Sequence, residues 1–149
     1  LGQARALILG MGRVGQACYA ELTGILGDDQ VLGVEHDPVR VRELQEKGFN
    51  VVEGDATDID FWARVKAAHQ IDMIMLAMPA QHANVDAVKE IRASHVDTED
   101  TTIASVAMYI EDVEELNELG LDVVVHLQDG AGESLAERTL IKHARTKEQ

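Results

Sequence analysis

Six residues of this 149-residue chain, Gly10-Met11-Gly12-Arg13-Val14-Gly15, follow directly on the apolar run Ala6-Leu7-Ile8-Leu9. A strand that ends in such a turn and passes into a helix leaves first-turn backbone amides unpaired. These bind phosphate, with help from the helix dipole. In that arrangement Gly10 permits the tight turn and Gly12 lets a pyrophosphate approach the backbone. Gly15 lets the helix pack close to the strand. The spacing alone is a weak signal, and its placement between strand and helix gives it weight.

Glu35 ends the next apolar run, twenty residues after Gly15. A carboxylate there accepts bonds from both hydroxyls of an adenosine ribose and repels a 2′-phosphate, which favours NAD(H) or another unphosphorylated adenosine over NADP(H). The plainer alternative is an acid that caps a turn. Asp37, just before Pro38, reads equally as a helix cap. His36 between them reads as a ligand contact or, more simply, a solvated loop histidine. Gly54-Asp55-Ala56-Thr57 closes a third short strand where an adenine would lie, with Asp55 or a backbone group placed for its exocyclic amine. Thr57 or Asp58 would cap the following helix in any case. Ala77-Met78-Pro79 ends the fourth strand, where small or flexible residues leave room for the second half of a dinucleotide.

Catalytic machinery is not found. The histidines at 36, 69, 82, 95, 126 and 143 never pair at i, i+4, and none has a carboxylate at metal-ligand spacing. Neither a G-x-S-x-G elbow nor a phosphate-loop lysine occurs. No catalytic or metal residue is therefore assigned, and the expectation is a sensor rather than an enzyme. An NAD-dependent dehydrogenase fragment is the second reading. A SAM-dependent methyltransferase is the third; it requires a terminal antiparallel hairpin, against which the helical pattern after Val125 speaks.

These groups must be positioned by regularly alternating elements. Strands are expected at Ala6–Leu9, Val31–Val34, Val51–Val52, Met73–Met78, Thr102–Val106 and Val123–Val125. Short continuous apolar runs of this kind suit parallel strands covered on both faces. Between them, Val14, Cys18, Leu22, Ile25 and Leu26 recur at helical spacing up to Gly27, and Pro38 to Lys47 is stopped by Gly48. Phe61, Trp62, Val65 and Ala68 mark another helix; Val85, Val88 and Ile91 the next; Val113, Leu116 and Leu119 a fifth. A final helix is expected from Leu135 to Arg145, and residues 98–101 read as a polar loop. Six strand–helix units with short connections imply one α/β domain over 1–149. Its fold is a Rossmann-type doubly wound parallel six-stranded sheet of order 3-2-1-4-5-6.

Composition narrows the partners. Thirteen basic against twenty-seven acidic side chains give a net charge of −14, which disfavours nucleic acid and direct lipid binding. Arg40, Arg42 and Lys47 lie close together and read as a solvated helix face. The single cysteine, Cys18, reads as core and excludes an internal disulfide. No apolar run approaches a membrane span. The start at Leu1 rather than Met suggests a fragment of a larger protein, although processing or an incomplete sequence would look the same.

The ordered set Gly-Met-Gly-Arg-Val-Gly at 10–15, Glu-His-Asp-Pro at 35–38, Gly-Asp-Ala-Thr at 54–57 and Asn84 after strand four resembles the TrkA-N family, also called the regulator-of-potassium-conductance (RCK) or KTN domain. The run 117–125, in which a helix leads through Gly120 into the sixth strand, is similar to the family's ending. Glu-His-Asp-Pro looks most like the cytoplasmic domains of Kef-type glutathione-regulated potassium efflux antiporters. The resemblance implies a regulatory domain at the cytoplasmic face of the inner membrane. It would bind NAD(H) or AMP, pair as a homodimer and gate the membrane-embedded potassium transporter portion of its parent protein. It implies that Gly10, Gly12, Arg13 and Gly15 hold phosphates and that Glu35 holds the ribose. Asp55, Ala56 and Thr57 would border the adenine, and Asn84 would lie near the dimer-facing rim of the cleft. Two departures stand out. Glu35 replaces the usual Asp, and Ser105 and Ala107 stand where glutathione-gated relatives carry arginines, so glutathione gating is not carried over.

Overall fold

The computed structural model describes residues 2–68 and 70–148. His69 and Leu1, noted in the sequence, lie outside the described residues. Six strands, β1 (Ala6–Leu9), β2 (Val31–Glu35), β3 (Val51–Glu53), β4 (Met73–Leu76), β5 (Thr102–Ala107) and β6 (Val123–His126), form one sheet in the order β3-β2-β1-β4-β5-β6. Every pairing is parallel. Helices α1 (Arg13–Leu26), α2 (Pro38–Glu46), α3 (Ile59–Ala68), α4 (Gln81–Ser94), α5 (Ile110–Glu118) and α6 (Leu127–Glu148) follow the strands in turn. This is the doubly wound architecture expected, with its switch point between β1 and β4. No antiparallel strand occurs among the described residues, and β6 leads into a helix, so the hairpin a methyltransferase requires is not there.

The alternation along the central strands divides the core in two. Leu7, Leu9, Leu32, Val34, Ile74 and Leu76 face α3 and α4, where Trp62, Val65, Val88 and Ile91 meet them. Ala6, Ile8 and Val31 point the other way, toward Tyr19 of α1 and Val41 and Leu44 of α2. All four residues of β1 and all five of β2 are buried, which is why their sequence reads as unbroken apolar runs. Cys18 packs in the second layer, its Sγ 3.6 Å from Met75 Sδ.

Four expectations are revised by the geometry. Ile25 and Leu26 do not join the buried face of α1, and Ile25 is 70% exposed. Fourteen helical residues span about 21 Å, whereas a four-residue strand spans about 13 Å, so the last turn overhangs the sheet. Strand β4 stops at Leu76 rather than Met78, because its partner β1 ends at Leu9, where the glycine turn begins. The final helix starts at Leu127, eight residues before Leu135, and runs straight out of β6. Gly130 and Gly132 disguise that start, since glycine disfavours helix interiors. A Cβ at Gly130 would meet Val125 Cγ1 at 3.0 Å, so its absence lets the helix pass close to β6. The loop at residues 98–101 is more than a polar connection: Thr101 Oγ1 donates to the Ile71 carbonyl at 3.0 Å and accepts from Thr98 N at 3.0 Å.

Trp62 joins fold and site. It is fully buried against Phe61 in an edge-on contact, and its indole N–H donates to the Ala56 carbonyl at 2.6 Å. That bond ties the loop after β3 to α3. Trp62→Phe leaves a buried carbonyl unpaired, and we expect it to destabilise the domain by about 1–3 kcal/mol. Urea denaturation followed by circular dichroism checks this, and an unchanged midpoint would contradict it.

Candidate functional site

A cavity of about 650 Å³ opens at the C-terminal edge of the strands, across the switch point between β1 and β4. That is the position and size expected of a ligand site in this architecture. Of the sixteen residues singled out in the sequence, thirteen line it: Gly10, Gly12, Arg13, Val14, Glu35, His36, Gly54, Asp55, Ala56, Thr57, Ala77, Met78 and Asn84. The other three act from behind the wall. The Met11 side chain is buried in the core under Gly33, Gly15 is buried beneath the turn, and Asp37 caps α2 by accepting from Val39 N at 3.0 Å.

The glycines have separate jobs. Gly10 sits at φ +96, and a Cβ there would lie 2.9 Å from Met78 Cγ and 3.0 Å from its backbone nitrogen. A Cβ on Gly15 would collide with the Gly10 carbonyl oxygen. Gly12 has ordinary angles, φ −76 and ψ −157, and nothing lies within 4 Å of where its Cβ would be. Its smallness is not used by the protein itself; it leaves the approach to the start of α1 open. No side chain caps that helix, so its first-turn amides face the cavity without an internal acceptor.

Glu35 is the buried charge of the site, its side chain only 3% exposed. Oε1 accepts from Met11 N at 3.0 Å and from Arg40 Nη1 at 3.3 Å. Oε2 accepts from Asp37 N at 3.0 Å and lies 3.1 Å from His36 Nδ1. Burial pushes the carboxyl up, but the Asp37 and Met11 amides and the Arg40 guanidinium together hold it below its ordinary value. Arg40, which the sequence presents as part of a solvated helix face, is therefore a wall residue of the cavity. Its place in the first turn of α2 just after Glu35 is the one local hint of this.

The other walls are similarly tied. Asp55 Oδ1 accepts from Thr57 N at 2.8 Å and from Thr57 Oγ1 at 2.7 Å, which holds that carboxyl below its ordinary range. Asp58, rather than Thr57, caps α3 by accepting from Asp60 N at 3.0 Å. Asn84 is buried and grips the backbone of Met78, accepting from its N–H at 3.3 Å and donating to its carbonyl at 2.9 Å. Beyond the switch point the cavity continues along Val106, Met108, Asp112 and Leu127, which the sequence does not mark. At that end His126 Nε2 lies 3.1 Å from the Met108 carbonyl and Nδ1 lies 3.0 Å from Asp129, a pairing that raises the imidazole above its ordinary value. No cluster of metal-ligating side chains is found among the described residues.

The lowered Glu35 carboxyl fixes the sign of a pH effect. Its stabilising contribution is complete above the pKa of the unfolded chain and disappears as pH falls through the lower folded value. Glu35→Gln replaces one acceptor by an amide N–H₂ that faces a backbone donor. The variant should unfold at a lower temperature than the parent at pH 7, and the gap should close as pH drops below the carboxylate range. A gap that stays constant between pH 7 and pH 3 would contradict the assignment.

Comparison with known proteins places this geometry. The model of the TrkA-N domain family matches residues 6–127. The NAD(P)-binding domain of an exopolyphosphatase-related protein from Archaeoglobus fulgidus superposes with a TM-score of 0.77 at 20% identity, covering 91% of this chain and 97% of that one. The TrkA-N domain of the inner membrane protein ybaL from Escherichia coli gives 0.72 at 25% identity, covering 92% and 96%. The Kef C-terminal domain of Shewanella denitrificans, in its AMP-bound form, gives 0.66 at 18% identity, covering 91% and 80%. A search of the curated proteins found no match.

Proposed function

The chain belongs to the TrkA-N domain family, and from that premise we propose that it is a regulatory domain of a potassium efflux (potassium–proton antiport) system, gated by NAD(H) or AMP. The observation that carries the reading is the cavity at the switch point, where uncapped α1 amides stand beside the buried carboxylate of Glu35. The amides suit a phosphate group and Glu35 suits ribose hydroxyls. The segment 54–57 borders the adenine, and Met78 with Asn84 forms the far wall. The AMP-bound Kef domain and the NAD(P)-binding domain of the Archaeoglobus protein support an adenine nucleotide as ligand. The inner membrane protein ybaL supports a membrane-embedded portion in the parent protein, beside which this domain would sit at the cytoplasmic face as the family reading implies. No helix of the described residues is long and apolar enough to cross a membrane.

Ligand occupancy acts through differential affinity for two arrangements of a dimer. Uncovered apolar side chains support such pairing: Leu135, Leu140 and Ile141 of α6 and Val123 and Val125 of β6 are all exposed, and α6 buries none of its residues.

Calorimetry with NADH and AMP tests the ligand, with Gly12→Asp as control. The backbone angles and open space at Gly12 accept a side chain, and an aspartate there caps α1 while repelling phosphate. We expect micromolar binding to the parent protein, at least a hundredfold loss in the variant and no loss of thermal stability. A folded parent protein that binds neither nucleotide overturns the reading. For the dimer, Leu140→Asp with Ile141→Asp should halve the mass seen by sedimentation without unfolding the sheet; an unchanged mass counts against pairing through α6.

A further inference from the structure

Resting on the nucleotide-binding reading above, the surroundings of Glu35 go one step further. A carboxylate offers about four acceptor positions, and three donors and the His36 Nδ1 stand around this one. They are of two kinds. Met11 N and Asp37 N are backbone amides of the glycine turn and the turn into α2, and neither can leave without unmaking its turn. Arg40 and His36 reach Glu35 with side chains that are 45% and 83% exposed and line the same cavity as the carboxylate they cover, so either can swing away without disturbing the backbone. An adenosine ribose brings two hydroxyl donors to this edge, and both filled oxygens already have their fixed partner.

We infer that Arg40 and His36 are exchangeable placeholders on Glu35. The 2′- and 3′-hydroxyls of an incoming adenosine ribose take the acceptor positions these side chains vacate, while the two amides hold the carboxylate still. The exchange is donor for donor and leaves Glu35 ionised. The departing groups return to water, where a half-exposed ion pair loses little. The hydroxyls gain charge-assisted bonds to a buried carboxylate. His36 takes part whenever its Nδ1 carries a proton. Arg40 thereby sets how strongly the site discriminates a ribose from a deoxyribose, because it can refill the acceptor that a missing hydroxyl leaves empty.

The test compares AMP with 2′-deoxy-AMP by calorimetry on the parent protein and on Arg40→Met. In the parent, Arg40 refills the vacated acceptor, so losing the hydroxyl should weaken binding by only about threefold. In Arg40→Met the buried lone pair stays empty, and the penalty should rise to about tenfold or more. Equal penalties overturn the exchange. A measurement on the parent protein alone stands independently of how the variant folds. The Arg40 guanidinium Nη–H resonances should move toward those of free arginine at saturating AMP, and less far with 2′-deoxy-AMP. A resonance that AMP does not move overturns the exchange even though AMP binds. A folded parent protein that binds no AMP overturns the sensor reading and this inference together.

Discussion

The rest of the molecule depends on how closely one helix approaches one turn. Helix α1 sits so near the end of β1 that a single carbon on Gly15 would overlap the Gly10 carbonyl, and a single carbon on Gly10 would press on Met78. The first contact fixes the start of α1, and with it the direction of its unpaired amides. The second fixes β4's exit, and so the width of the cleft between the two halves of the sheet. Close packing of this kind carries little free energy by itself, but it leaves the turn one geometry. The walls of the cavity are therefore set by packing within the protein itself.

Around that turn, most polar groups are already committed to one another. Asn84 holds Met78, Asp55 holds Thr57, Trp62 holds Ala56 and Asp37 holds Val39. Three of these bonds tie a segment leaving the sheet to the helix that follows it, and the Asp55–Thr57 pair braces the loop between β3 and α3 from within. Fewer groups remain to meet a ligand than the number of polar residues suggests: the α1 amides, the carboxylate of Glu35 once uncovered, and the side chain of Arg13. The scaffold and the recognition surface are thus largely different atoms of the same residues.

What could be read from the sequence follows from how local each signal is. The glycine turn, the acid ending β2 and the strand order rest on patterns within a few tens of residues, and the structure carries them unchanged. Arg40 was hidden because its partner lies five residues upstream, across a helix start, where no i, i+4 rule points to it. Ile25 and Leu26 continue the helical period correctly, but periodicity does not say where the sheet beneath a helix stops. Gly130 and Gly132 argue against a helix on propensity, and the close approach to Val125 overrides that preference. Met108 reaches the cavity from the connection after β5, Asp112 from α5 and Leu127 from α6, a convergence no single window contains.

The junction of β6 with α6 has no loop in it: His126 ends the strand and Leu127 begins the helix. Loops absorb small movements, and this joint has nothing to absorb them with. Leu127 and Met108 belong to the cavity wall, so the joint is part of the site's own framework. A helix of 22 residues is about 33 Å long, so a tilt of about 5° at its base sweeps its far end through roughly 3 Å. Any change of direction at the cavity end of α6 would thus be magnified along the apolar side chains it carries, Leu135, Leu140 and Ile141.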